Sequence, residues 1–194
     1  MCTHLVSFYS ASPTLRWSGQ IAYVDTPGSR QLAMSLGDPW TRLWCAGQLP
    51  GSAVALAQLR GIPAIALQIG DGRGQLPAQI DADGSVIVRG LINMMRRLEI
   101  IDGPWQPPVG WHLVGQTPVR STRWGLLVPE DGTVIGGPVR AGQVLYRLWN
   151  MYGDEVEVIV SPSHGTLAAA RTFPCVQPGQ LVGFVSEDLE TISA

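Results

Sequence analysis

The chain has 194 residues, 45% of them hydrophobic and 14% charged, which is enough apolar material for one large domain or two small ones. Its formal net charge is −2, and every one of its thirteen basic residues is arginine. The lack of lysine excludes Schiff-base chemistry, a Walker-type nucleotide site and any carrier role that needs a biotinylated or lipoylated lysine.

No apolar run approaches the roughly 18 residues that cross a bilayer, and "MCTHLVSFYS" lacks the basic and apolar regions of a signal peptide. The expected location is the cytoplasm, with no membrane partner. The arginines are scattered and only Arg96 and Arg97 are adjacent, a pattern that predicts a solvated helix face and no nucleic-acid partner. Cys2, Cys45 and Cys175 show no Cys-x-x-Cys spacing and are expected to be buried or idle thiols.

In chain order, "GQIAYVD" (19–25) is strand-like and "PGSRQLAMSLG" (27–37) is a short helix closed by Gly37. "TRLWCA" (41–46) is a strand. "PGSAVALAQLRG" (50–61) is a helix with Ser52 as N-cap and Gly61 just past its end. The continuous apolar run at 62–69 predicts a strand buried on both faces, ending on Gln68. A further helix over 83–101 carries Val86, Leu91, Met94, Met95 and Leu98 at near-helical spacing, a core stripe. This is a thin α/β pattern of about three strands and three helices, which would leave an edge or face to be covered. Trp17, Trp40 and Trp44 are candidates either for the core or for interface anchors.

Around "IIDGPWQPPVGW" (100–111) Pro and Gly become dense and helical periodicity stops. The boundaries that follow are a partial α/β domain at 1–103, a linker at 104–110 and an all-β domain at 111–194. The last contains a weak repeat: Pro129 to Gly132 recurs as Pro162 to Gly165, and Gly142-Gln143 recurs as Gly179-Gln180. Each Gly would supply the positive φ of a tight turn. Two interlocked units of this kind form a small barrel-sandwich like those of biotinyl and lipoyl domains.

Isolated site signals are sparse. Cys2 and His4 have a Cys-x-His spacing that could ligate a metal at a chain end. "GDGRG" (70–74) imitates a phosphate loop, but Pro77 and polar residues argue for a plain turn. His164 in "SPSHGT" belongs to a turn. His112 has no evident carboxylate or thiol partner, and no Gly-x-Ser-x-Gly elbow occurs.

Taken together, "RQLAMSLGDPW", "PGSAVALAQLRGIPAIALQIGDG", "VRGLINMMRRLEIIDG" and the β repeat resemble the C-terminal part of the succinylglutamate desuccinylase and aspartoacylase family. The resemblance implies part of a zinc-carboxypeptidase-like α/β fold followed by the barrel-sandwich. It also implies a zinc-dependent deacylase, with two ligands from a His-x-x-Glu motif, a third from the His of Asp-Leu-His, and a glutamate as general base. Here no His-x-x-Glu occurs: Ser7, Gly115 and Leu167 stand three residues after the three histidines. "SFY" puts Ser7 at the aspartate and Tyr9 at the third-ligand position, with His4 as the alternative if the match shifts by a few residues. Gln68 falls at the general-base position, where an amide cannot accept a proton near neutral pH.

The expected function is therefore a shortened, non-catalytic relative acting as a binding or assembly subunit, with no cofactor. It would pair with a second copy or with a separate chain. The alternative is a zinc-dependent amide or ester hydrolase completed by a partner or by other ligands. A third possibility is a small-molecule sensor that uses the old substrate pocket.

Overall fold

The structure, a computed structural model, describes residues 2–9, 14–23, 26–45, 51–71 and 77–193, with the backbone alone at residue 71. Its first half forms strands β1 (Leu5–Tyr9), β2 (Leu15–Tyr23), β3 (Arg42–Cys45) and β4 (Ala64–Asp71), and helices α1 (Pro27–Met34), α2 (Ala53–Leu59) and α3 (Pro77–Arg97). Local chemistry sets the helix ends. Thr26 accepts a hydrogen bond from Ser29 N at 3.2 Å and caps α1. Ser52 accepts one from Ala55 N at 3.0 Å and caps α2, which Gly61 follows at φ 73°.

The first-half sheet separates large from small side chains. Ile21, Tyr23, Ile65 and Leu67 pack with Leu32 of α1, with Trp40 and with Met94 of α3. The alternate residues Ala22, Ala64 and Ala66 pack against Val54 and Ala57 of α2. A strand shows successive residues to opposite faces, so β4 is buried on both, as its apolar run predicts. Trp40, 1% exposed, is a core residue whose Nε1 donates to Val86 O at 3.2 Å. Trp17 is buried and stacks on Phe184, and Trp44 is half-buried beside α2.

The second half is all strand: β5 (Gly110–Arg120), β6 (Gly125–Pro129), β7 (Pro138–Val139), β8 (Val144–Trp149), β9 (Glu155–Val160), β10 (Gly165–Arg171), β11 (Cys175–Val176) and β12 (Leu181–Ser193). One sheet runs in the order β1-β4-β2-β3-β5-β12-β10-β7, and a second in the order β11-β6-β8-β9. The additional pairing of β2 with β10 closes β2, β3, β5, β12 and β10 into a five-stranded barrel. The second sheet faces β5, β12, β10 and β7 over a core that includes Leu127, Leu145, Leu148, Leu167 and Val182.

Several sequence expectations change in the structure. Strands of the two halves share one sheet, because β3 pairs with β5 in parallel and β10 pairs with β2, so hydrogen bonding crosses the boundary expected at 104–110. Helix α3 begins at Pro77 instead of residue 83, since proline suits a first helical turn whose N–H groups lack intrahelical acceptors. A helix therefore does follow the "GDGRG" stretch, whose residues 72–74 lie outside the described residues. Gly132, Gly142 and Gly179 have the expected positive φ, but Gly165 does not. It lies in β10, where a Cβ would collide with Ser186 O, so there the glycine serves a close backbone approach. All three cysteines are free and exposed, which removes the expectation of burial.

Two predictions follow from the cores. A Cβ at Gly90 of α3 would stand 2.6 Å from two indole atoms of Trp40, so Gly90→Ala should overpack the core despite its better helix propensity. Urea unfolding should show a loss of about 1–2 kcal/mol. Burial raises the Tyr146 hydroxyl from 10.0 to about 12. The folded state thus keeps a proton that the unfolded chain releases above pH 10, and the associated stability is full below that pH and lost between about 10 and 12. Wild type minus Tyr146→Phe should lose up to roughly 2–3 kcal/mol over that window in urea titrations.

Candidate functional site

Parallel pairing of β1 with β4 brings Tyr9 opposite Gln68, at the C-terminal end of β1. Antiparallel pairing of β2 with β4 places Gln20 opposite Gln68 from the other side. From there the polar groups continue into the barrel wall. Gln116 Nε2 of β5 donates to Gln20 Oε1 at 2.5 Å, and Gln20 Nε2 donates to Gln68 Oε1 at 2.5 Å. Gln20 is 1% exposed, so its amide depends on these partners, whereas Gln68 is half-buried and Tyr9 is exposed.

The order of donors decides what this end of the sheet can do. Gln68 is joined to Gln20 through one end of its amide and keeps the other end for a further partner. An ionised glutamate would present only acceptors; an amide carries a donor and an acceptor and has no group that titrates near neutral pH. It can hold a carbonyl or carboxylate oxygen, but it cannot take a proton from water.

Two residues beyond Gln68, Gly70 has φ 74°, and a Cβ there would meet Asp83 Oδ2 at 2.7 Å. Asp83 of α3 forms an ion pair with Arg16 of β2 at 2.9 Å. A cleft of about 400 Å³ opens beside this pair, lined also by Trp17, Ser18, Ile135 and Gly136. The loop at 72–76 lies outside the described residues.

The other sequence candidates lie elsewhere. His4 precedes β1 at its opposite end, roughly 16 Å along the chain from Tyr9 at strand rise. Its Nδ1 is 3.1 Å from Thr3 Oγ1, and Cys2 Sγ donates to the His4 carbonyl at 3.1 Å instead of sharing a ligand position with the ring. His164 is exposed in the bend before β10. His112 does have a carboxylate partner, contrary to the sequence expectation: Nδ1 lies 3.3 Å from Asp188 Oδ2 on β12, and Arg42 of β3 donates to Oδ1 of the same residue at 2.8 Å. Sequence reasoning also missed Gln20 and Gln116, which carry no local motif.

Among the described residues no group of three or more His, Cys, Asp or Glu could hold a metal ion. The described side chains around Gln68 are amides and a phenol, and this set does not fit the imidazole, thiolate and carboxylate ligands that zinc takes. No helix among the described residues is long and apolar enough to cross a membrane.

Compared by sequence, the chain matches no protein-family model and no curated protein. Compared by structure, it is similar to a succinylglutamate desuccinylase/aspartoacylase from Rhodobacter sphaeroides, with TM-score 0.79 and 16% identity, covering 98% of this chain and 60% of that one. It is also similar to the apo form of the ectoine utilization protein EutE (DoeB) from Ruegeria pomeroyi, with TM-score 0.76 and 18% identity over 94% of this chain and 59% of that one. An aspartoacylase family protein from Mesorhizobium loti gives TM-score 0.75 and 18% identity over 97% and 58%. The chain has the fold of these proteins over about three-fifths of their length. The resemblance carried by its sequence therefore holds for the fold.

Replacing Gln20 with Leu would strip partners from both Gln116 and Gln68. Gln20→Leu should lower stability by about 1–3 kcal/mol in chemical denaturation. Gln68→Glu keeps an acceptor for Gln20 Nε2 and should cost less than about 1 kcal/mol.

Proposed function

We propose that this chain is a non-catalytic relative of the zinc-dependent deacylases, acting as a binding or assembly subunit in the cytoplasm. The observation that carries the proposal is the Gln116–Gln20–Gln68 amide chain, which ends where the resemblance puts the general base. Water attack on an amide needs an acceptor for the water's proton, and Gln68 offers N–H donors in its place. Tyr9, in the third-ligand position, adds a hydroxyl beside it. Such a pair suits recognition of an acyl or carboxylate oxygen without turnover. The two facing four-stranded layers support a barrel-sandwich in the second half, used for packing because the chain has no lysine to modify.

One observation favours the second reading, a hydrolase completed by another chain. β1 is an edge strand of the large sheet, and its last residues Phe8 and Tyr9 are 50% and 39% exposed. An added strand from a second copy or a separate chain would pair there and bring its side chains beside Tyr9 and Gln68.

Purified protein should retain far less than one zinc per chain and should leave N-acyl amino acids unhydrolysed, and Gln68→Glu alone should not create turnover. About one tightly held zinc per chain, or hydrolysis by the pure polypeptide, would overturn the non-catalytic proposal. Hydrolysis that appears only with an added chain would establish the second reading.

A further inference from the structure

At the end of β1 away from Tyr9, on the sheet face covered by α1 and α3, lies a cavity of about 390 Å³, a volume within the usual range for small-molecule sites. Its apolar walls include Leu32, Leu98, Trp105 and Trp111, its polar groups include His4 and Arg97, and among the described residues no Asp or Glu lines it. The walls are held from behind. Trp105 Nε1 donates to Ser35 O at the end of α1 at 3.1 Å, which fixes the indole plane. Arg97, in the last turn of α3, places its guanidinium carbon 4.9 Å from the centre of the Trp105 ring.

The stacked guanidinium is pre-oriented, but it has no hydrogen bond or ion pair to any described residue, so its edge N–H groups remain available. Trp111, 3% exposed, has its Nε1–H buried without an acceptor. The His4 ring adds a further donor or acceptor at the mouth. A cavity with aromatic and aliphatic walls, a guanidinium without a partner and no carboxylate among its described lining residues selects for an anion that carries an apolar body.

We infer that this cavity binds a small carboxylic acid with an apolar chain or ring. The carboxylate takes the Arg97 fork near His4, and the apolar part lies against Trp105, Trp111, Leu32 and Leu98. Arginine suits this role because its planar N–H pair matches a carboxylate in a two-bond contact. The site is separate from Gln68, at the opposite end of β1, and does not depend on whether the Gln68 end is catalytic.

Isothermal titration of the full chain with phenylacetate and hexanoate, against phenylacetamide and hexanamide, tests the assignment. The acids should bind about tenfold or more tightly than the matched amides. Arg97→Gln should bring the acids down to the level of the amides while the melting temperature of the free protein stays unchanged, since Arg97 is exposed. Gln68→Ala should leave the Arg97-dependent component of acid binding intact. The assignment is wrong if neither acid binds at millimolar concentration, if acids and amides bind alike, if Arg97→Gln binds as wild type does, or if Gln68→Ala abolishes the Arg97-dependent component.

Discussion

The fold depends on one strand changing partners along one of its edges. Residues 21–23 of β2 pair in parallel with β3, and residues 15–17 pair antiparallel with β10, while β4 holds the opposite edge on both sides of the change. Between the two sets the register with β4 is irregular from Trp17 to Gln20, and Gly19 adopts φ 111°, a conformation that side chains disfavour. That irregularity turns the strand so that β10 can reach it and close the barrel. The neighbouring packing is correspondingly tight: Ala168 and Ala169 sit beside Trp17, and a Cβ on Gly183 would be 2.7 Å from Ala169 O. The helix-covered sheet and the two-layered strand half are thereby one hydrogen-bonded structure.

The polar site is a consequence of that closure. Gln20 lies immediately past the irregularity, where β2 runs between β4 on one side and the barrel strands on the other. Only there can one buried amide reach both Gln68 and Gln116. Inside a barrel wall an amide unpaired at both ends would be costly; Gln20 is paired at both ends, while the buried Gln116 Oε1 has no partner among the described residues. The chemistry at the end of β1 is set as much by positions 20 and 116 as by position 68 itself.

What the sequence made legible followed from how local its cause was. The cap of α2 and Gly61 were readable because the signals lie within one turn of their effects. The buried β4 was readable from an unbroken apolar run. The start of α3 was hidden because Gly84 and a polar stretch obscured the period, although Pro77 was itself a start signal. Barrel closure was not readable, since Trp17 and Ala169 carry no mutual signature across so many residues. The same holds for the partner of His112, which arrives on the last strand, and for Gln20, whose importance lies in what two other strands place beside it. The repeat in the second half located the turns but misjudged Gly165, because a glycine required by a close backbone approach looks, in sequence, like one required by a turn.

The two ends of β1 share a polarity that composition does not suggest. A chain of net charge −2 has more carboxylates than guanidinium groups, yet an amide and a phenol at one end and His4 and Arg97 at the other offer hydrogen-bonding groups, with no carboxylate among the described lining residues of the cavity at the His4 end. Among the described side chains, Asp83 is paired with Arg16 at 2.9 Å, and Asp188, farther along the sheet, lies against Arg42 and His112. Donor-rich recesses against a weakly acidic surface favour oxygen acceptors such as carboxylates and acyl carbonyls, and they do so by local geometry instead of a long-range field. Activating water at the end of β1 would need a proton acceptor there, whereas holding an acid needs only hydrogen-bonding groups. On the function proposed above, the amide of Gln68, backed by two further amides, meets the second requirement.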